Sequence, residues 1–162
     1  MHIWGFPREV NEKAARVVAG GVVLLAATAL ITGWTPVPAV MAVGFALRVA
    51  SGPRFSPLGR LAAQVIAPRL GEPRIVPGPP KRFAQAVGLG FTVSATAAWL
   101  GGAYVLGVTL LAVLLIFASL EAVLGFCAGC YVFGWLMRWG VVPEETCVAC
   151  NTLVLRQEEQ PA

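Results

Sequence analysis

Two long stretches without a single charged side chain constrain this sequence most: residues 17–47, 31 in a row, and residues 83–120, 38 in a row. One helical crossing of a bilayer takes about 20 residues. Backbone polar groups in hydrocarbon have no water to bond, so helices are the expected spanning form. A straight helix over the second stretch would be about 57 Å long at 1.5 Å per residue, nearly twice the hydrocarbon core. Each stretch is therefore expected to fold back once, where Gly and Pro interrupt it: at Gly33-Trp34-Thr35-Pro36 and at Gly101-Gly102. Four crossings follow, at roughly 14–33, 37–51, 83–101 and 103–120. The second is short, and Arg48 is expected to snorkel at its end.

Composition agrees. Hydrophobic residues make up 57% of the chain and charged residues 12%, with a mean hydropathy of +0.76. A soluble domain carries about 25% charge, so a water-soluble globule is excluded, and the apolar content excludes disorder. The twelve basic residues avoid both hairpin tips. Arg8, Lys13 and Arg16 lie around the start of the first crossing. Arg48, Arg54, Arg60, Arg69, Arg74, Lys81 and Arg82 lie between the second and third, and Arg138 and Arg156 follow the fourth. All fall on one side of the bilayer, which the positive-inside bias makes the cytoplasm, with both termini inside. Residues 1–13 do not read as a secretory signal. No basic patch interleaves with aromatics, so nucleic acid is not an expected partner; the lipid bilayer is. Trp34, Trp99 and Tyr104 fall near the opposite interface, where aromatic rings are favoured.

A shift of 69 residues aligns the chain with itself. Ala15-Arg16-Val17-Val18-Ala19-Gly20 falls on Ala84-Gln85-Ala86-Val87-Gly88-Leu89, and Ala67-Pro68-Arg69-Leu70-Gly71 on Leu136-Met137-Arg138-Trp139-Gly140. The expected fold is an all-α membrane protein, a single domain over 1–162. It holds four transmembrane helices as two tandem hairpin-plus-helix repeats, about 12–71 and 81–140, with interfacial or re-entrant third helices. Segment 56–70 carries Arg60, Gln64 and Arg69 and reads as an amphipathic helix on the inner face. Its counterpart, 125–139, is nearly all apolar and is expected to sit deeper against the other helices. Segment 71–82 reads as a Pro-rich connector without regular structure. Gly20, Gly88 and Gly90 are expected to permit close helix packing.

Chemistry concentrates in four cysteines, Cys127-Ala-Gly-Cys130 and Cys147-Val-Ala-Cys150, spaced C-x2-C-x16-C-x2-C. Two such pairs at this separation signal that the thiols are used. Residues three apart share a helix face, so each pair presents two sulfurs together. Pro143, Glu144 and Glu145 suit the first turn of a further helix, about 143–157. Folded back near Gly140, it would bring Cys130 and Cys150 to heights within about 3 Å of each other. Structural disulfides are rare on the cytoplasmic side. A dithiol that attacks, forms a mixed disulfide and resolves through its neighbour fits the pattern, as thiol–disulfide exchange or persulfide relay. The same spacing fits a structural zinc site held by Cys127, Cys130, Cys147 and Cys150, and less closely an iron–sulfur or Cu(I) site. Burial of a tetrathiolate centre in the apolar stretch 122–137 would be costly, which favours the redox reading. Cys147 or Cys150 is the expected exchange partner for soluble carriers, and Cys127 with Cys130 the membrane-side pair. Glu121, the one acid between Lys81 and Arg138, is expected either to pair with Arg48 or Arg54 or to accept a proton in the cysteine chemistry.

Three segments together carry a family resemblance: Val10-Asn11-Glu12, Pro80-Lys81-Arg82-Phe83-Ala84, and Glu121-Ala-Val-Leu-Gly-Phe-Cys127-Ala-Gly-Cys130. Over about residues 8–152 the chain resembles a bacterial integral-membrane family catalogued as a domain of unknown function, with a GFCxGC motif. The resemblance implies a small four-crossing protein of the bacterial inner membrane whose cysteines matter to its role. Association with thioredoxin-like or sulfurtransferase proteins would suit such a family, but the resemblance supplies no established reaction, so the expected thiol–disulfide oxidoreductase activity rests on the cysteines alone.

Overall fold

A computed structural model describes residues 7–143. Helix α1 (Glu12–Thr32) begins where the Asn11 side chain accepts a hydrogen bond from the Lys13 amide at 3.0 Å. It ends at Gly33, whose left-handed backbone (φ 65°) turns the chain and returns its N–H to Ala29. Helix α2 (Pro36–Ser51) starts at once, because proline lacks the N–H that a first turn leaves unbonded. Helix α3 (Pro57–Arg60), capped by the Ser56 hydroxyl, runs on into a π-helical stretch (Leu61–Ile66) and a 3₁₀ turn (Ala67–Leu70). Helices α4 (Gly78–Leu100) and α5 (Tyr104–Leu124) form the second hairpin, and α6 (Ala128–Arg138) follows. Among the described residues, four helices are long and apolar enough to cross a membrane: Glu12–Thr32, Pro36–Leu70, Gly78–Leu100 and Tyr104–Leu124. The fold is that of an all-α membrane protein, with both hairpin turns where the sequence breaks.

The connector 71–82 is not irregular throughout. Ile75–Pro77 forms strand β2, antiparallel to β1 (Glu9–Asn11), with Val10 opposite Val76. The Glu12 amide donates to Arg74 O and the Gly78 amide to Arg8 O, both at 2.7 Å. Prolines drive the departure. Pro77 stands at a strand end where no donor is required, and Pro79 and Pro80 fill the opening turn of α4. Each half of the chain thus runs strand, two long helices, helical third segment.

Helix α1 packs mainly on α5, and α2 mainly on α4. Small side chains let these pairs approach, with Ala26, Ala29, Ala95 and Leu111 fully enclosed beside Met41 and Phe45. Gly88 lies directly under the Phe45 ring, where a side chain would collide. Gly20 and Gly90 face open space instead, so their expected packing role does not hold. Trp99 lies at a hairpin tip as expected, but its ring is covered by protein. It is buried at the α4–α5 tip, stacked on Tyr104 with ring centroids 5.3 Å apart, and covers Gly107. Tyr104 is exposed there, and Trp34 is exposed in the α1–α2 turn.

The two third segments reverse the expected order of burial. In the first, Ser56, Gly59, Ala62 and Ala67 are buried against α1 and neighbouring turns. In α6 only Phe133 is buried. Small residues let the first segment settle into the bundle. The large rings of α6 cannot, and Phe126, Tyr131, Trp135 and Trp139 stand exposed in successive contact along it. Such a row of rings suits the interfacial layer of a bilayer.

Candidate functional site

The end of the bundle opposite the hairpin turns gathers the charged residues. Helix C-termini leave carbonyls without intrahelical partners, and cations from neighbouring helices meet them. Arg16 of α1 donates to Ala122 O and Val123 O of α5 at 3.2 and 2.6 Å. Arg82 of α4 donates to Val49 O of α2 at 3.1 Å.

Here Glu121 departs from the expected pairing with Arg48 or Arg54. Its Oε1 lies 2.6 Å from Lys81 Nζ, with side chains only 15% and 8% exposed. Antiparallel α4 and α5 explain the choice, since Lys81 near the start of one and Glu121 near the end of the other meet at one level. Arg48 does not snorkel. It is buried, with Nε donating to Gln85 Oε1 at 2.7 Å, Nη1 donating to Ser56 Oγ at 3.2 Å, and the guanidinium 4.5 Å above the Phe45 ring.

Helix α5 stops at Gly125, whose φ of 71° an L side chain rarely adopts and whose amide donates to Glu121 O. The Glu12 carboxylate sits where a Cβ on Gly125 would be, 2.9 Å away. After Phe126 the chain turns, and Cys127 becomes the cap of α6 rather than a residue inside a helix. Its Sγ accepts from the Cys130 amide at 3.3 Å. Cys127 and Cys130 form a disulfide, their Cα atoms 5.2 Å apart. Gly129 between them touches α4, where an added Cβ would lie 2.6 Å from Ala84 Cβ. Both glycines of the GFCAGC segment thus have a steric reason.

A cavity of about 250 Å³ opens beside the disulfide. Cys127, Ala128 and Gly129 form one edge, Glu121 and Gln85 supply its polar groups, and Phe45, Phe83 and Phe117 contribute aromatic wall. The structure therefore brings Glu121, Cys127 and Cys130 together. Cys147 and Cys150, with the hairpin that would oppose Cys130 to Cys150 and the four-sulfur zinc arrangement, lie outside the described residues. Lys81 and Gln85 were not expected at the site, and Arg48 was expected on Glu121 rather than on Gln85 and Ser56. A sequence signal existed for the first: Lys81 is 20 residues before Gly101 and Glu121 is 19 after Gly102, so a hairpin places them within about 1.5 Å in height.

Fold and site together define a small helical membrane protein that carries a disulfide at the capped start of a helix, beside an apolar cavity. Residues 10–138 match the family described as Domain of unknown function (DUF4395), and the chain belongs to that family. Neither the curated proteins nor the solved structures provide a match.

Proposed function

We propose that this protein is a membrane-embedded thiol–disulfide redox or sulfur-relay protein, with Cys127 and Cys130 as its membrane-side pair. The observation that carries the reading is the bonded pair at the start of α6, with Cys127 as the cap. In the reduced state a thiolate at Cys127 would face the amides and positive dipole end of that helix, which favours the ionised sulfur. In the exchange step a thiolate of the Cys147 and Cys150 dithiol, itself reduced by a soluble dithiol carrier, attacks one sulfur of the membrane-side pair. A mixed disulfide forms and the other cysteine leaves as a thiolate. The second thiol of Cys147 and Cys150 then displaces it, so that pair becomes a disulfide, which the carrier reduces again as it is itself oxidised to a disulfide, and Cys127 and Cys130 hold the two electrons and two protons. Glu121, the carboxylate on the same cavity wall, serves as proton acceptor for the thiol. Cys147 and Cys150 are the pair exchanging with the carrier, a thioredoxin-like or sulfurtransferase protein.

The charged end of the bundle supports a cytoplasmic setting for this chemistry in a bacterial inner membrane, with both termini inside. The apolar surroundings of Cys127 favour redox over the metal alternative, since a buried tetrathiolate centre would be costly there. Metal analysis combined with thiol counting before and after reductant tests the reading. Two further alkylatable thiols after reduction, with the oxidised fraction tracking a glutathione redox buffer, is the expected result. One zinc per chain and no reducible disulfide would overturn it.

A further inference from the structure

A second cavity, of about 260 Å³, lies at the charged end between β1, the start of α1, the end of α2 and the first turns of α4. Arg48, Arg54, Lys81, Gln85 and Glu9 line it along with apolar side chains such as Val18 and Ala63. Arg48 decides what it can hold. Its side chain is 5% exposed, yet every described partner is neutral: the Gln85 carbonyl oxygen, the Ser56 hydroxyl and the Phe45 ring. The two ion pairs among the described residues are Arg74 with Glu12 and Lys81 with Glu121, so neither carboxylate is left for Arg48. Glu9 lies on the cavity wall, and no ion pair joins it to Arg48. A buried cation without a counter-charge is costly, and the C-terminal dipole of its own helix offsets only part of that cost.

The two hydrogen bonds of Arg48 use Nε and Nη1, and the Nη2 donors carry none among the described residues. A guanidinium fork with free N–H groups matches the paired oxygens of a phosphate. Lys81 is neutralised by Glu121, which faces the other cavity. Arg48 and Arg54 still outnumber Glu9. Apolar wall completes the site at the level where four candidate membrane helices meet their polar flank.

We propose that this cavity binds a phosphate-bearing oxyanion on Arg48, supplied either as free phosphate or as the headgroup of an anionic phospholipid. Basic pockets between membrane helices on the positively charged side bind such headgroups. The proposal does not rest on the cysteine chemistry, although Gln85 lines both cavities.

The test uses the full chain in detergent, stripped of lipid. One arm titrates inorganic phosphate. The other titrates phosphatidylglycerol against a phosphatidylcholine background. Binding is read by native mass spectrometry and thermal unfolding. Saturable uptake of one phosphate identifies the free oxyanion, and one retained phosphatidylglycerol per chain, with no effect of phosphate, identifies the lipid. Arg48→Gln should weaken the responding arm at least tenfold. Ala63→Leu, which fills the cavity from its apolar wall and leaves every charge in place, should weaken it similarly even if Arg48→Gln fails to fold. Arg60→Gln, an exposed change off the cavity, should leave it unaltered. No saturable binding in either arm overturns the proposal. So does an equal loss in Arg60→Gln, which would mean general charge attraction.

Discussion

The Lys81–Glu121 pair allows a quantitative test of how this bundle is held at its charged end. Nζ and Oε1 are 2.6 Å apart and both side chains are largely withdrawn from solvent. Breaking a buried pair by removing one partner costs about 3–5 kcal/mol, mostly because the other charge stays behind uncompensated. The two single changes should be unequal. Lys81→Met strands the Glu121 carboxylate on a short stem beside an apolar cavity, so it should approach the upper figure. Glu121→Leu leaves a lysine whose long stem can carry its ammonium outward, so it should fall near or below the lower one. The double variant replaces both charges with apolar groups of similar size and should lie within about 1 kcal/mol of the parent or above it. The coupling in a double-mutant cycle is then at least about 6 kcal/mol, more than ten-thousandfold in the unfolding equilibrium. Reversible unfolding in mixed micelles, followed by tryptophan near-UV circular dichroism, reads it. Two single variants that each lose under about 1 kcal/mol, with effects that simply add, would refute the reasoning.

Other substitutions separate packing from chemistry. Gly129→Leu must push α6 off Ala84 of α4, so it should destabilise by about 1–3 kcal/mol and lower the oxidised fraction of Cys127 and Cys130, read by alkylation mass shift. Cys127→Ser keeps a side chain that caps helices well. It should abolish the disulfide while leaving the melting temperature within a few degrees of the reduced parent. Gly88→Leu and Gly90→Leu form a matched pair two residues apart on α4. The first collides with Phe45 and should unfold at lower temperature, whereas the second faces open space and should not.

The spanning helices were legible because lipid imposes a coarse rule that charge-free length alone reveals. Gly33 and Gly102 marked both turns, since each hairpin tip holds a positive-φ backbone that other residues resist. What was not legible depended on side-chain size across the bundle. The apolar count of 125–139 suggested depth, but burial in protein depends on fit, and Phe126, Tyr131, Trp135 and Trp139 are too bulky for the groove that Ala62 and Ala67 occupy. Gly20 and Gly88 look alike in sequence and differ only in whether a ring from α2 stands opposite. The cap at Cys127 was hidden because cysteine is not among the usual capping residues. Its clue lay two residues earlier, in the glycine that ends α5.

That glycine links the cysteine pair to the far end of the chain. Gly125 is covered by Glu12, and the carbonyls just before it are gripped by Arg16, both on the first turns of α1. Glu12 is in turn held by Arg74, 3.0 Å away in the connector just before β2. On the other side Gly129 rests on Ala84 of α4, the helix that also supplies Lys81 to Glu121. The turn that makes Cys127 a cap is thus fixed from both halves of the chain, and the six residues from Gly125 to Cys130 do not set its shape alone. Any motion of α1 against α5, or of α6 against α4, changes the exposure of the sulfurs. On the proposed redox reading, ionic contacts at the charged end bear on access to the sulfurs as well as on stability. Weakening them should alter how fast a soluble thiol reaches the disulfide before it alters whether the bundle folds.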